Sequence, residues 1–487
     1  MAAVSGIAYL GEDISLTVSS TTGRPDLPSP GRSPDRPTQA SNVSPLAAVV
    51  QSVTTKVAII GINAVTGIIT ARALQPEGRG ELAAMILWPI FLASALTLGV
   101  PSALTFQLKR NPERQSQLLG AALLLAILTS VVGMLLGIVF ISSWIPQYPV
   151  KVILFARIFL LINTTVASLL LTGRAALESI GDFSASNKIL LWPPILTLIG
   201  LIGLLVTHAM TPYSAAIAYV PVGIAPVGWM LGRLWKVFRP TLLSLRESSR
   251  LLFSYGIRSY GIDLCGTMAV YVDQALVVRL LAPGMMGTYV VALSLSRMLN
   301  AFHASVVMVL FPRAVSRSPR EVIEMTSRAA RMSTVLTTVI GTAVGLVGPQ
   351  VLVLLYGAEY RSATTVLRIL VVEVVCSGAT LVLAQAFMAL GRPGVVTALQ
   401  IIGLALTVPL MLVLVPRLGI VGAGLALLLS TIIRLGFVLV SFPLFLRMEV
   451  PRLLPKAEDL SFLLSAVARR LKQPIRAGFV ASEALER

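Results

Sequence analysis

From about Ser44 to Leu446 the chain is written in long apolar runs, with polar residues gathered between them. Twelve such runs can be marked, with cores at 46–71, 82–107, 118–142, 150–173, 189–207, 213–235, 254–281, 286–312, 332–356, 363–390, 394–415 and 419–446. A helix needs roughly 20 apolar residues to cross the hydrocarbon of a bilayer, and each run is about that long. None of them alternates apolar and polar positions as a barrel strand would, so a spanning β-barrel is excluded. Several carry Gly or Pro, as in LWPPILTLIG and YVPVGIAPVG, which membrane helices tolerate and which often mark bends. The pattern therefore predicts an all-α polytopic membrane protein of about twelve transmembrane helices.

Both ends break the pattern. Residues 1–45 hold six Pro and eight Ser, and PDLPSPGRSPDRPTQ has too little apolar surface to fold, so a disordered cytoplasmic tail is expected there. The opening MAAVSGIAYLGED lacks the basic start of a secretory signal. Residues 447–487 read as a basic cytoplasmic tail, with LSFLLSAVARRLK as a surface helix.

Composition agrees. The chain is 56% hydrophobic and 12% charged, where a soluble domain carries about 25% charged residues. The net charge of +18 reports topology before it reports a partner, because Lys and Arg collect in cytoplasmic loops. With the N-terminus inside, the inner inter-helix loops hold seventeen Lys and Arg and the outer ones six. Both termini are thus expected in the cytoplasm. The most basic loop, 233–258, includes an amphipathic linker, 236–253, suited to anionic membrane lipids. No nucleic-acid partner is expected. Cys265 and Cys376 lie in separate apolar runs and the chain has two His, so neither a disulfide framework nor a metal site is expected. HExxH, GxSxG and GxxxxGK[ST] are all absent, which leaves no enzyme signal.

The sequence also repeats itself. RALQPEGRGELAA at 72–84 aligns without a gap on RLLAPGMMGTYVV at 279–291, sharing Arg, Leu, Pro and Gly. LESIGDF around Gly181 falls over FMALGRP around Gly391 at a similar offset, and Pro101 corresponds roughly to Pro312. Six helices per copy is an even number, so the copies share one orientation. The expectation is two pseudo-symmetric six-helix lobes, 46–235 and 254–446, around a central cavity. Parallel repeats of this kind can rock against each other to give alternating access.

The run NAVTGIITARALQPEGRGELAAMILWP resembles the opening of polysaccharide-biosynthesis flippases of the Wzx type, in the multidrug/oligosaccharidyl-lipid/polysaccharide exporter superfamily. VYVDQALVVRLLAPGMMGTYVVALSLSRMLNAF resembles the start of that family's second lobe. The resemblance covers roughly 45–446 and carries no catalytic signature. It implies a multi-pass protein of the bacterial inner membrane that moves a polyprenyl-pyrophosphate-linked oligosaccharide to the outer face. Its partners would be glycosyltransferases and a polymerase. It implies no cofactor beyond a coupling proton or Na⁺. Relatives that flip peptidoglycan precursors usually carry two further C-terminal helices, and 447–487 is too polar and broken to supply them.

In a transporter the chemistry resides in ionisable residues at membrane depth, where each is costly and faces a cavity or a partner. Lys56 and Asp263 are 207 residues apart, the offset of the repeat, so a pseudo-two-fold could set them face to face as a gate or a phosphate contact. Arg297, Asn300 and His303 would make a polar stripe over about 120° of one helix. Arg297 and Arg434, near mid-span, suit a pyrophosphate because guanidinium binds such oxyanions in bidentate fashion. Asp273 and Glu373 are candidates for gating or ion coupling; the simpler alternative pairs them with Arg157 or Arg368. Two other functions stay open. One is a cation-coupled exporter of organic cations, disfavoured by five basic against three acidic residues within the spans. The other is a membrane scaffold for envelope synthesis.

Overall fold

The protein is described here by a computed structural model that covers residues 45–314 and 317–451. The tails expected at 1–45 and 447–487 lie almost entirely outside the described residues. Helices in chain order are α1 (Pro45–Ala95), α2 (Val100–Arg110), α3 (Gln115–Trp144), α4 (Val150–Ser179), α5 (Phe183–Val206), α6 (Pro212–Phe238), α7 (Leu245–Leu280), α8 (Pro283–Arg297), α9 (Asn300–Ala314), α10 (Pro319–Tyr356), α11 (Ala363–Ala389) and α12 (Pro393–Ser441).

Two of these are each two helices joined at a kink. An unbroken α1 of 51 residues would be about 77 Å long, far more than one bilayer crossing needs. It breaks at Gln75, where φ is 59°, and Pro76 starts the return helix. Pro suits a first helical turn because its missing N–H would have no partner there. Likewise α12 breaks at Gly419, with φ again 59°. The ten long apolar helical segments among the described residues therefore make twelve crossings, in the expected order. Exposed Leu128, Val132, Leu135 and Val139 on α3 present the apolar surface that lipid would cover.

The second crossing of each half is itself interrupted. In the first half α1 ends at Ala95 and α2 begins at Val100, with Leu98 (φ 50°) and Gly99 (φ 69°) in left-handed conformation between them. In the second half Met298 and Leu299 separate α8 from α9. The basic stretch expected as a linker, 236–253, is divided in the structure. Its first residues end α6, 239–244 form the connection with Leu242 and Leu243 exposed, and the remainder is the start of α7.

The repeat read from the sequence has a geometric counterpart. Gly181 and Gly391 both adopt positive φ, 78° and 70°. Each ends its helix with the same bonds: Asp182 N–H to Leu177 O and Gly181 N–H to Glu178 O, against Arg392 N–H to Phe387 O and Gly391 N–H to Met388 O. This six-to-one closure is the left-handed helix stop that glycine favours. Gly80 and Gly287, equivalent in the repeat, meet where α1 crosses α8. A Cβ on Gly80 would run into the Pro283 carbonyl, and one on Gly287 into the Pro76 carbonyl.

The end of the molecule around this crossing, called here the Gln75 end, is sealed. Arg72 donates to the carbonyls of Leu355, at 2.8 Å, and Leu354. Gln147 donates to Leu280 O at 2.8 Å. The 207-residue offset carries Gln147 onto Leu354 and Leu280 onto Ala73, beside Arg72, so the halves meet at equivalent places with the donor and acceptor sides exchanged. Tyr360 donates to Ala71 O at 3.1 Å; burial raises its phenol above the ordinary range, which keeps it a neutral donor. A single apolar core joins both halves at this end, from Leu74, Leu82 and Trp88 to Tyr289, Tyr356 and Tyr360. At the opposite end the core divides. One cluster, with Leu104, Leu118, Leu177 and Leu234, belongs to the first half, joined by Leu252 of α7. Another, with Leu310, Val322, Phe387 and Phe442, belongs to the second.

Candidate functional site

Between the halves lies a cavity of 330 Å³. Its walls come from both parts of α1, from α4, α5 and α6, and from α7, α8 and α9, with Tyr356 of α10 closing the Gln75 end. Much of the lining is apolar, with Ile86, Ile90 and Phe159 among it. Set into it are the amides Asn63, Asn163, Gln274 and Asn300, and two guanidinium groups, Arg79 and Arg297; among the described residues no carboxylate lines it. Several polar atoms are unpaired: Asn63 Nδ2, Thr66 Oγ1, Gln274 Oε1 and Arg79 Nε. Buried polar groups are normally hydrogen-bonded, so these are positioned for a polar occupant.

Arg297 is brought to this cavity and is 18% exposed. Behind it α7 supplies Asp273, 1% exposed, whose Oδ2 accepts from Arg297 Nη2 and from the Tyr289 hydroxyl, both at 2.9 Å. Arg297 Nη1 reaches Val270 O at 3.3 Å. The charge of this arginine is thus balanced within the fold, and Asp273 serves as its counter-ion. The alternative pairing of Asp273 and Glu373 with Arg157 or Arg368 is not made: Arg157 donates to Ser142 Oγ and Arg368 to Gly345 O.

Other candidates separate. Of the stripe Arg297–Asn300–His303, the turn of i→i+3 bonds at Met298–Leu299 keeps the first two on the cavity, and the third is outside its lining. Asn300 stays in the lining. His303 is fully buried instead, its ring packed against Gly378 of α11 and both nitrogens without partners. Lys56 and Asp263 are found with other neighbours. Asp263 accepts from Ser102 Oγ at 3.2 Å, while the charges acting on Lys56 are those of Arg174 and Glu178. The inner part of α7, which carries Asp263, packs on the first half just before α2, where Gly256 meets Leu98 and Gly99. Arg434 is absent from the cavity lining. It packs along Gly403 of the same kinked helix, near Glu373, which accepts from Thr431 at 2.9 Å.

Sequence reasoning missed Arg79. Its segment read as a loop and was counted toward topology, but the helix resumes at Pro76 and carries Arg79 into the cavity wall. Of the amides, Asn300 was expected; Asn63, Asn163 and Gln274 carry no charge to mark them out and were not. Lone Asn63 in AIIGINAVTGII and Asn163 in FLLINTTV were visible as costly polar groups in apolar runs.

Two six-helix lobes around a largely apolar cavity set with polar groups, closed at one end, make an architecture shared with membrane transporters of the multidrug/oligosaccharidyl-lipid/polysaccharide class. Solved structures have the same fold. A lipid II flippase, MurJ, in an inward closed conformation superposes with a TM-score of 0.69 at 14% identity, over 88% of this chain and 93% of that one. An inward-facing multidrug resistance MATE family transporter of the MOP superfamily gives 0.65 at 16% identity, over 80% and 95%. A MOP superfamily transporter from Pyrococcus furiosus, described as having a binding pocket of reverse polarity, gives 0.57 at 16% identity, over 84% and 97%. Residues 48–318 match the family model described as polysaccharide biosynthesis protein, and the chain belongs to that family. It is also 24% identical over 188 residues to the probable low-salt glycan biosynthesis flippase Agl15 of Haloferax volcanii, a stretch covering 38% of this chain and 40% of that relative.

Proposed function

We propose that the chain translocates a polyprenyl-pyrophosphate-linked oligosaccharide across the bacterial inner membrane by alternating access between lobes 46–235 and 254–446. The observation that carries this reading is the cavity lining, which among the described residues holds two guanidinium groups, four amides and no carboxylate. Arginine suits phosphate because its planar fork donates two parallel hydrogen bonds. Amides suit sugar hydroxyls, since each both donates and accepts. The polyprenyl tail stays in lipid, and no covalent bond changes. Such a lining would repel the organic cations of a drug exporter.

The Lys and Arg bias of the loops supports a cytoplasmic location for both termini and puts the Gln75 end outside. The divided core at the other end is then the cytoplasmic entrance. Lys56 extends the face of α1 that holds Ile60, Asn63 and Gly67, and Arg174 extends the face of α4 that holds Leu170. Spacings of three and four residues keep these on one side of a helix, so Lys56, and Arg174 with its partner Glu178 at 2.8 Å, would stand on the path of a phosphate arriving from that entrance. Asp273 is engaged by Arg297, which leaves Glu373 as the carboxylate assigned here to proton or Na⁺ coupling.

The test is reconstitution in vesicles. A fluorescent polyprenyl-pyrophosphoryl disaccharide should cross in the presence of the protein, and a lipophilic organic cation should not. Transport of the cation alone would favour the exporter. Transport of neither, by folded protein under a proton or Na⁺ gradient, would favour the scaffold.

A further inference from the structure

Arg79 is the cation of the cavity that the fold leaves unbalanced. No ion pair or hydrogen bond to its guanidinium forms among the described residues, and its Nε is buried without a partner. Glu77 and Glu81 are two residues away on the same helix, a spacing that does not bring side chains together. Glu81 interacts instead with Glu77 and Lys151. Around Arg79 are the rings of Tyr219 and Tyr356, on which its charge acts. A half-buried cation set in a largely apolar wall, its Nε cut off and unpaired, is costly, and an anion relieves that cost most fully.

The depth of Arg79 decides which anion. It is one residue from Gly80, at the crossing with Gly287, so it stands at the sealed Gln75 end. Arg297 is ten residues further along its helix than Gly287, about 15 Å deeper into the cavity at helical rise. A lipid-linked headgroup is held near the bilayer by its tail at the pyrophosphate, and the glycan projects ahead of it. In the state with the Gln75 end closed, the part of the substrate that reaches Arg79 is the glycan.

We propose that Arg79 is a specificity-determining residue for an acidic glycan, and that the oligosaccharide carried by this protein bears a carboxylate on a sugar distal to the pyrophosphate. Tyr219 and Tyr356 flank the carboxylate site, and the amides deeper in the cavity take the neutral sugars. This inference rests on the cavity being the glycan path.

Two probes test it: a short-chain polyprenyl-pyrophosphoryl disaccharide ending in glucuronate, and the same molecule ending in glucose. Binding of each to the full chain in nanodiscs is measured. A charge-assisted, desolvated contact should favour the glucuronate probe by roughly tenfold or more. Arg79→Gln should abolish the preference, read as the ratio of the two affinities in the same variant, and Arg79→Lys should keep part of it. Arg297→Gln with Asp273→Asn should weaken both probes alike. Equal binding of the two probes to the unaltered protein would overturn the acidic-glycan assignment, as would a preference that survives Arg79→Gln. Failure of translocation by protein that still discriminates the probes would count against the transport reading alone.

Discussion

Arg297 was legible in the sequence as a costly guanidinium at mid-membrane, but its partner was not. Asp273 is 24 residues away on another helix, and only the packing of α7 on α8 brings them within 2.9 Å. That pairing changes what a substitution should do. Arg297→Ala leaves Asp273, 1% exposed, with Tyr289 alone, and breaking a buried pair from one side costs about 3–5 kcal/mol. Thermal unfolding in detergent should show a large loss for Arg297→Ala and partial recovery when Asp273→Asn is added. A single variant as stable as the unaltered protein would mean that the pair is not structural. Arg79 shows the reverse case. Its charge was visible, but the helix resuming at Pro76 was not, because the Pro-Gly cluster reads equally well as a loop.

The elements were far more readable than the site. Twelve apolar runs set twelve crossings because hydrocarbon thickness fixes the length of each, independent of packing. The interruptions at Leu98–Gly99 and Met298–Leu299 lay inside runs that looked continuous, since apolar residues flank both. Two kinds of glycine separate here and predict different outcomes. Gly391 has positive φ with open space beside it, so Gly391→Ala should cost only the left-handed strain, about 1–2 kcal/mol, with activity per folded molecule retained. Gly80 and Gly287 have backbone carbonyls where a Cβ would go. Gly80→Ala should therefore separate α1 from α8 and cost more than Gly391→Ala, which unfolding midpoints in one detergent would compare. Equal midpoints would place the crossing under less pressure than the geometry implies.

For the whole molecule, the repeat visible in 72–84 and 279–291 emerges as a symmetric seal: Arg72 on Leu354 and Leu355, Gln147 on Leu280. The sequence carried the symmetry but not the state, since a repeat says which surfaces are equivalent and not which are touching. The assignment of sides is independent of that state. Single cysteines in place of Arg246 and Ala358, in a background lacking Cys265 and Cys376, should label from opposite faces of sealed vesicles. Labelling of both from one face would remove the proposed orientation.

Alternating access requires the seal at the Gln75 end to open in every cycle, and this can be tested by locking it. Cysteines replacing Arg72 and Leu354, bridged by a short bifunctional thiosulfonate, tie the two lobes where they now meet. Translocation of a lipid-linked disaccharide by the bridged protein should fall to the level of empty vesicles and return on reduction. Bridged protein that translocates at the rate of the reduced form would contradict a path through the cavity between the lobes.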